Sequence, residues 1–204
     1  DRGKTLGGSS SINGMVFIRG NSLDYEGWRQ MGCDGWGYAD VLPYFKKMES
    51  YSGGGDDFRG DSGPLRVHRS VPKDPLSIAF IKAGKEAGYK ETDDISGYCQ
   101  EGFGIFDRTV FKGERWSTTR GYLDPVRDRK NLTIITKALV CKLILENNKA
   151  TGVTFKDNKN KIFNIKSKKE VILCAGAVGS PHILMLSGIG PKDHLNSMGI
   201  KLIA

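Results

Sequence analysis

No apolar run in this 204-residue chain approaches the roughly 20 residues that a helix needs to cross a bilayer, so any membrane association is expected to be peripheral or through other segments. The opening DRGKTLGGSS has no starting methionine, no charged stretch followed by an apolar one and no transit-peptide pattern, so the start is expected to be a cut inside a longer gene product. The end, SMGIKLIA, is equally abrupt. There is no internal repeat. Cys33, Cys99, Cys141 and Cys174 stand far apart, with no CxxC pair and no histidine at zinc-ligand spacing, so no metal is expected. Cys141 and Cys174 lie in apolar runs and are expected to be buried small hydrophobes; a reducing, cytoplasmic compartment follows as the expectation, with any association with an inner membrane peripheral. A GxSxG nucleophile elbow is missing, and GGSSS does not replace it. The GxGxxG dinucleotide fingerprint is missing too, since GFGIF at 102–106 lacks the third glycine and the helix that should follow.

What is present argues for a folded chain. Hydrophobic residues make up 38% of it, enough to bury a core in one large domain or two small ones. The 27 glycines fall in clusters without a fixed period, which points to tight turns and close backbone approaches. A net charge of +8 and a pI of about 9.3 raise the question of nucleic acid. Many of the lysines, however, lie between Lys137 and Lys169 among asparagines and strand-like runs, as solvated hairpin faces would have them, and RNA-binding and helix-turn-helix signatures are missing. Nucleic acid is therefore not an expected partner.

Along the chain, two glycines and three serines at 7–11 suit a turn feeding a short helix, whose N–H groups could hold an anion. Helices are expected at 22–31 and 38–50, a soft loop at 52–63, a brief strand at 65–68 and an amphipathic helix at 75–88. The apolar side of that last helix would carry Leu76, Ile78, Ala79, Phe80, Ala83 and Ala87. A strand at 103–111 and a short helix at 117–126 flank the polar knot GERWSTTR. From residue 131 five strand-like runs follow, LTIIT, LVCKLILE, TGVTF, KIFNI and EVILCAG; the last is read as a buried strand passing into a helix near Ser180 and Pro181.

Two glycine-serine segments, at 7–14 and 175–190, are the strongest chemical signals, and nucleotide binding and an ordinary tight turn both remain open for them on residue type alone. GKTLGGSSSINGMVFIRG resembles the first signature of the glucose-methanol-choline (GMC) oxidoreductase family, and GAVGSPHILMLSGIGP resembles its second. Between them NSLDYEGWRQMG, GYCQEGFGIFDRTVFKGERWSTTRGYLDP and NLTIITKALVCKLILE are similar to the family's choline dehydrogenase branch, so the resemblance covers nearly the whole chain.

The resemblance implies an α/β fold: part of an FAD-binding, Rossmann-like domain with a β-meander at 1–20 and 117–204, and part of an α+β substrate domain at 21–116. It implies that Thr5, Asn13, Gly14, Met15 and Val16 contact FAD, with Gly7, Gly8 and Ser9 forming the turn beside it. Val140 would meet the adenine end, and Ala175 and Gly176 would let a nucleotide lie against their backbone. Some family members carry at position 12 a histidine bonded to the flavin; Ile12 implies FAD held non-covalently. No catalytic residue is expected among His68, His182 and His194, because the family's catalytic histidine lies nearer the carboxyl end than Ala204. The implied reaction is oxidation of choline or another primary alcohol by hydride transfer to the flavin. Trp28, Trp36, Tyr44 and Trp116 could cage a quaternary ammonium, but in this number aromatics are expected to be core. Two rivals stand beside this reading: a flavin-containing hydroxynitrile lyase of the same fold, and a basic binding module without enzymatic activity.

Overall fold

In a computed structural model, which describes residues 2–204, the chain divides into two units, Asp1–Leu132 and Thr133–Ala204. The first unit starts its helices with side-chain caps. Before helix α1 (Ser22–Gln30), Asn21 accepts from Leu23 N–H while Asp24 accepts from Asn21 N–H, a reciprocal capping box that satisfies two end donors. Helix α2 (Tyr38–Met48) follows, and it ends before residue 50 because Glu49 and Ser50 turn out to form strand β2 (Glu49–Tyr51). Strand β2 runs parallel to β3 (Leu65–Arg69). With β1 (Val16–Phe17) and the later β4 (Asp107–Arg108), these make a four-stranded sheet of order β1-β4-β3-β2. Along β3 the alternation of the pleat buries Leu65 and Val67 and turns Arg66 and His68 outward. Phe17, Leu65 and Val67 form the core, packed by Met48, Tyr51 and Trp116.

Helix α3 (Pro75–Glu86) is stopped by Gly88, whose φ of +88° suits glycine. Its expected apolar side is largely outward: Leu76, Ile78 and Phe80 are exposed, and the buried position is Gly84, whose missing Cβ admits the Phe103 ring. Asp74 caps the helix, accepting from Leu76 and Ser77 N–H, and the Ser77 hydroxyl first, with these backbone bonds after it, holds its carboxyl below the usual range. A depressed folded-state pKa stabilises only while the carboxylate is ionised. Asp74→Ala is therefore expected to lower the melting temperature near neutral pH, the gap from wild type closing as pH falls through the carboxylate range in a thermal-denaturation series.

The expected strand at 103–111 exists only as β4 and, after a break, β5 (Val110–Phe111). At Thr109 the chain changes partner: its N–H goes to the Met15 carbonyl at 2.8 Å, next to β1, and its own carbonyl accepts from Trp116 N–H at 2.8 Å, next to the following hairpin. Strand β5 pairs with β6 (Glu114–Arg115) in a separate hairpin. The helix expected at 117–126 is a wide π turn at Thr119–Leu123 leading into a 3-10 turn at Asp124–Val126.

In the second unit, β7 (Leu139–Glu146), β8 (Lys149–Lys156) and β9 (Ile162–Lys166) form an antiparallel meander. Asn147 and Asn148 supply the two left-handed residues, φ +50° and +61°, that a tight hairpin with the twist of its strands requires. Lysines of this region, Lys142, Lys149, Lys161 and Lys166 among them, are exposed on its faces as expected. Only three of the five expected runs are strands. Residues 132–136 and 171–174 have strand-like composition but no neighbour among the described residues to complete a ladder. The reading of 171–174 as a buried strand is thus corrected: Ile172 is 76% exposed and Cys174 is exposed, while Cys141 is half-buried. Helix α4 (Gly176–Leu186) begins at Gly176 instead of near Ser180, with Pro181 inside it, and α5 (Lys192–Ser197) follows. Ser187 locks α4 to β7: its hydroxyl accepts from the buried Leu143 N–H at 2.8 Å and donates to the Ile183 carbonyl at 2.6 Å.

Candidate functional site

Residues 3–16 form a loop sewn by its own small side chains. Gly8–Ser11 is a single 3-10 turn of four residues, so the dipole of a full α-helix is not available to hold an anion. Each serine hydroxyl makes a bond within the loop: Ser9 accepts from Gly3 N–H, Ser10 donates to the Gly7 carbonyl at 2.6 Å, and Ser11 donates to the Leu6 carbonyl at 2.8 Å. Gly7 has φ +84°, and a Cβ there would come within 2.5 Å of Ser11 Oγ and 2.7 Å of Thr119 Oγ1. At Gly3 a Cβ would meet the Gly8 carbonyl oxygen at 2.1 Å, backbone that cannot rotate away. Gly3→Ala is expected to distort the loop and lower the melting temperature, whereas Gly8→Ala, which meets open space, has only its left-handed φ of +53° to pay for. Paired melting curves check the order.

The exit of the loop is strained and open. Met15 is held at φ +64°, a conformation that side chains with a Cβ rarely adopt and that functional loops often retain. Its N–H bonds to Asn13 Oδ1 at 3.1 Å. Thr5, Asn13, Gly14 and Val16 are exposed, Gly7, Gly8, Ser9 and Met15 are partly buried, and a Cβ on Gly14 would meet nothing within 4 Å. The backbone at Gly14 is thus accessible from solvent. Ile12, 51% exposed, offers no nucleophilic atom.

The remaining expected contacts belong to the second unit. Val140 is half-buried on β7 opposite Phe155, next to a register shift before Lys142. Ala175 is exposed ahead of α4, its N–H on Ser180 Oγ at 3.0 Å, and Gly176 takes φ +87°.

Behind the first-unit loop lies a feature that the sequence reading missed. Arg59, fully buried, reaches Glu49 at 2.6 Å, Asp107 at 2.9 Å and Asp94 at 2.6 Å, with its guanidinium 3.8 Å above the Tyr51 ring. Arg19 also pairs with Glu49, and Arg69 with Asp107 at 2.6 Å. Three arginines meet three carboxylates, so the cluster is neutral as a whole. Burial opposes the charge on Arg59, but hydrogen bonds and attraction from Glu49, Asp94 and Asp107 hold its pKa above the ordinary arginine value. Burial lowers the pKa of Arg19, and Glu49 offsets only part of that. The cluster joins β1, β2, β3 and β4 immediately after the loop. The six residues are scattered from 19 to 107, so no local spacing marks them.

Two further residues went unremarked. Arg115 donates through Nη1 to Asn13 Oδ1 at 2.7 Å and to the Ser10 carbonyl at 3.2 Å, and Thr118 N–H donates to Ser10 Oγ at 3.0 Å. Both come from the GERWSTTR knot, whose polarity was the available signal. His68, His182 and His194 are all exposed, and no group of three or more His, Cys, Asp or Glu among the described residues could hold a metal. The aromatics expected to be core are divided: Trp116 packs on the core and donates to the Pro64 carbonyl, whereas Trp28, Trp36 and Tyr44 are exposed. Among the described residues no helix is long and apolar enough to cross a membrane.

The chain is similar to proteins of one kind. It is 50% identical over 203 residues to an oxygen-dependent choline dehydrogenase of Rhizobium etli, a match that covers 100% of this chain and 37% of that enzyme. Among solved structures it resembles pyridoxine 4-oxidase from Mesorbium loti, at a TM-score of 0.88 and 34% identity over 99% of this chain and 40% of that one. An FAD-dependent oxidoreductase from Chaetomium thermophilum gives a TM-score of 0.92 and 32% identity over 100% of this chain and 37% of that one. The chain thus spans a little over a third of the length of these relatives. The family model for GMC oxidoreductases matches residues 1–203, and the chain belongs to the GMC oxidoreductase family.

Proposed function

We propose that these residues are the flavin-contacting part of an FAD-dependent enzyme that oxidises choline or another primary alcohol. The observation that carries the reading is the open, strained exit of the first-unit loop, where exposed Asn13 and Gly14 precede a left-handed Met15 inside the segment that resembles the family's first signature. Thr5 and Asn13 to Val16 would hold FAD mainly through backbone, with Gly7, Gly8 and Ser9 shaping the turn; Val140, Ala175 and Gly176 would serve its nucleotide end. We assign residues 1–20 and 117–204 to the FAD-binding domain and 21–116 to the substrate side. Ile12 supports non-covalent binding, because a hydrocarbon side chain cannot form the bond. When bound, FAD supplies the acceptor for the hydride leaving the carbinol carbon. The hydroxyl proton would pass to a histidine outside residues 1–204.

Gly14→Ala tests the placement. Its added methyl meets open space in the protein, so the melting temperature should stay unchanged while FAD affinity of the full-length protein falls roughly tenfold, the size of one lost close contact. Unchanged affinity would move the flavin elsewhere. Precipitating the flavoprotein with acid should release all of its flavin to the supernatant; a chromophore left on the polypeptide would contradict the role given to Ile12.

A further inference from the structure

Asn13 Oδ1 accepts two hydrogen bonds, from Arg115 Nη1 at 2.7 Å and from Met15 N–H at 3.1 Å. A carbonyl oxygen has two lone pairs, so both are engaged and the amide orientation is determined by its partners. The Nδ2 group is then directed away from Arg115, on a residue that is itself exposed. Arg115 is in turn held by the β5–β6 hairpin, through pairing with Val110, and its second bond to the Ser10 carbonyl ties the 3-10 turn to the same guanidinium. Thr118 repeats the connection three residues on: its N–H donates to Ser10 Oγ and its hydroxyl to the Gly7 carbonyl at 3.3 Å. A loop of consecutive small residues, with Gly7, Gly8 and Met15 in the left-handed region, is thus tied to a segment about a hundred residues away in sequence.

We propose that Arg115 is a positioning residue for the cofactor: by engaging Asn13 Oδ1 it presents the Asn13 Nδ2 donors, beside the Gly14 to Val16 backbone, to an acceptor atom of FAD. It touches no reacting atom and acts through Asn13. The proposal rests on the flavin reading above. It differs from a purely structural role in one respect, that its effect on the ligand disappears when Asn13 has no amide to orient.

The test is a double-mutant cycle on the full-length protein, stripped of flavin and titrated with FAD while flavin fluorescence and the visible absorption band are followed. Arg115→Met is expected to weaken FAD binding roughly tenfold, as for loss of a charge-assisted hydrogen bond that pre-orders the site. Arg115→Lys should retain part of the affinity, since an ammonium can reach one of the two acceptors but not both in the same geometry. In an Asn13→Ala background, Arg115→Met should change the affinity by less than about twofold, because interacting residues do not add. Equal affinity of wild type and Arg115→Met, or losses that add in the double variant, would overturn the proposal. If Arg115→Met fails to fold, the same cycle run with Arg115→Lys decides between coupling and additivity. A wild-type protein that binds no FAD would instead overturn the flavin reading, which keeps the two failures apart.

Discussion

Arg59→Met is expected to lower the unfolding free energy by about 3–5 kcal/mol, the usual result of removing one partner from a buried ion cluster. The side chain is 0% exposed, and so are Glu49 and Asp107; without it Arg19 and Arg69 are left to serve Glu49, Asp94 and Asp107, so one negative charge of the cluster has no counter-charge. The loss would come from that uncompensated charge and only secondarily from the packing of the guanidinium on Tyr51, because methionine replaces much of the volume. Urea unfolding followed by circular dichroism measures it. An exposed pair gives the contrast: Lys82 and Glu86, 3.6 Å apart on α3 and mostly in water, should be separable by Lys82→Ala with no measurable change. A small effect at Arg59 would mean that the cluster is hydrated and that β1, β2, β3 and β4 are held by the Phe17, Leu65 and Val67 core alone.

Leu195→Ala is the counterpart in the second unit and should cost about 2–5 kcal/mol. Leu195 lies on the short helix α5, is 0% exposed, and is the most completely buried apolar side chain of its unit. A six-residue helix has little stability of its own, so what holds it is the side chain it buries. Truncation to alanine removes that apolar surface and leaves a cavity. Leu195→Met, close in volume, should recover most of the loss, and the pair of variants separates cavity formation from a change in helix propensity.

Local pattern was a good guide to much of this fold. The helices begun at Ser22 and Pro75, the brief strand at 65–68 and the three strand runs LVCKLILE, TGVTF and KIFNI each depend on neighbours within a few positions, and they were legible as short signals. What escaped depended on distant partners. Residues 171–174 have the composition of a strand, but a strand is a pairing, and composition does not say whether the partner is present. The 103–111 run divides where Thr109 passes from Met15 to Trp116, and Met15 is ninety-four positions away, which no window could show. Glu49 read as the end of a helix, while its buried carboxylate is bound to Arg19 and Arg59.

The candidate site follows the same division. The glycine and serine loop was visible because small residues in a run are rare enough to notice, and the family resemblance then singled out Asn13 to Val16 as the expected flavin contacts. Its supports were not visible. Arg115 and Thr118 are ordinary polar residues in an ordinary polar stretch, and only their position against Ser10 and Asn13 gives them a part in the site.

The central claim is that this chain carries the flavin-contacting loop of an alcohol-oxidising enzyme, and anaerobic reduction tests it most directly. The full-length protein should purify with a visible flavin band, and choline or a simple primary alcohol added without oxygen should bleach it, an outcome that a flavin-containing hydroxynitrile lyase of the same fold would not give. Absence of the flavin band, or a band that choline and simple primary alcohols leave unchanged, would contradict the account.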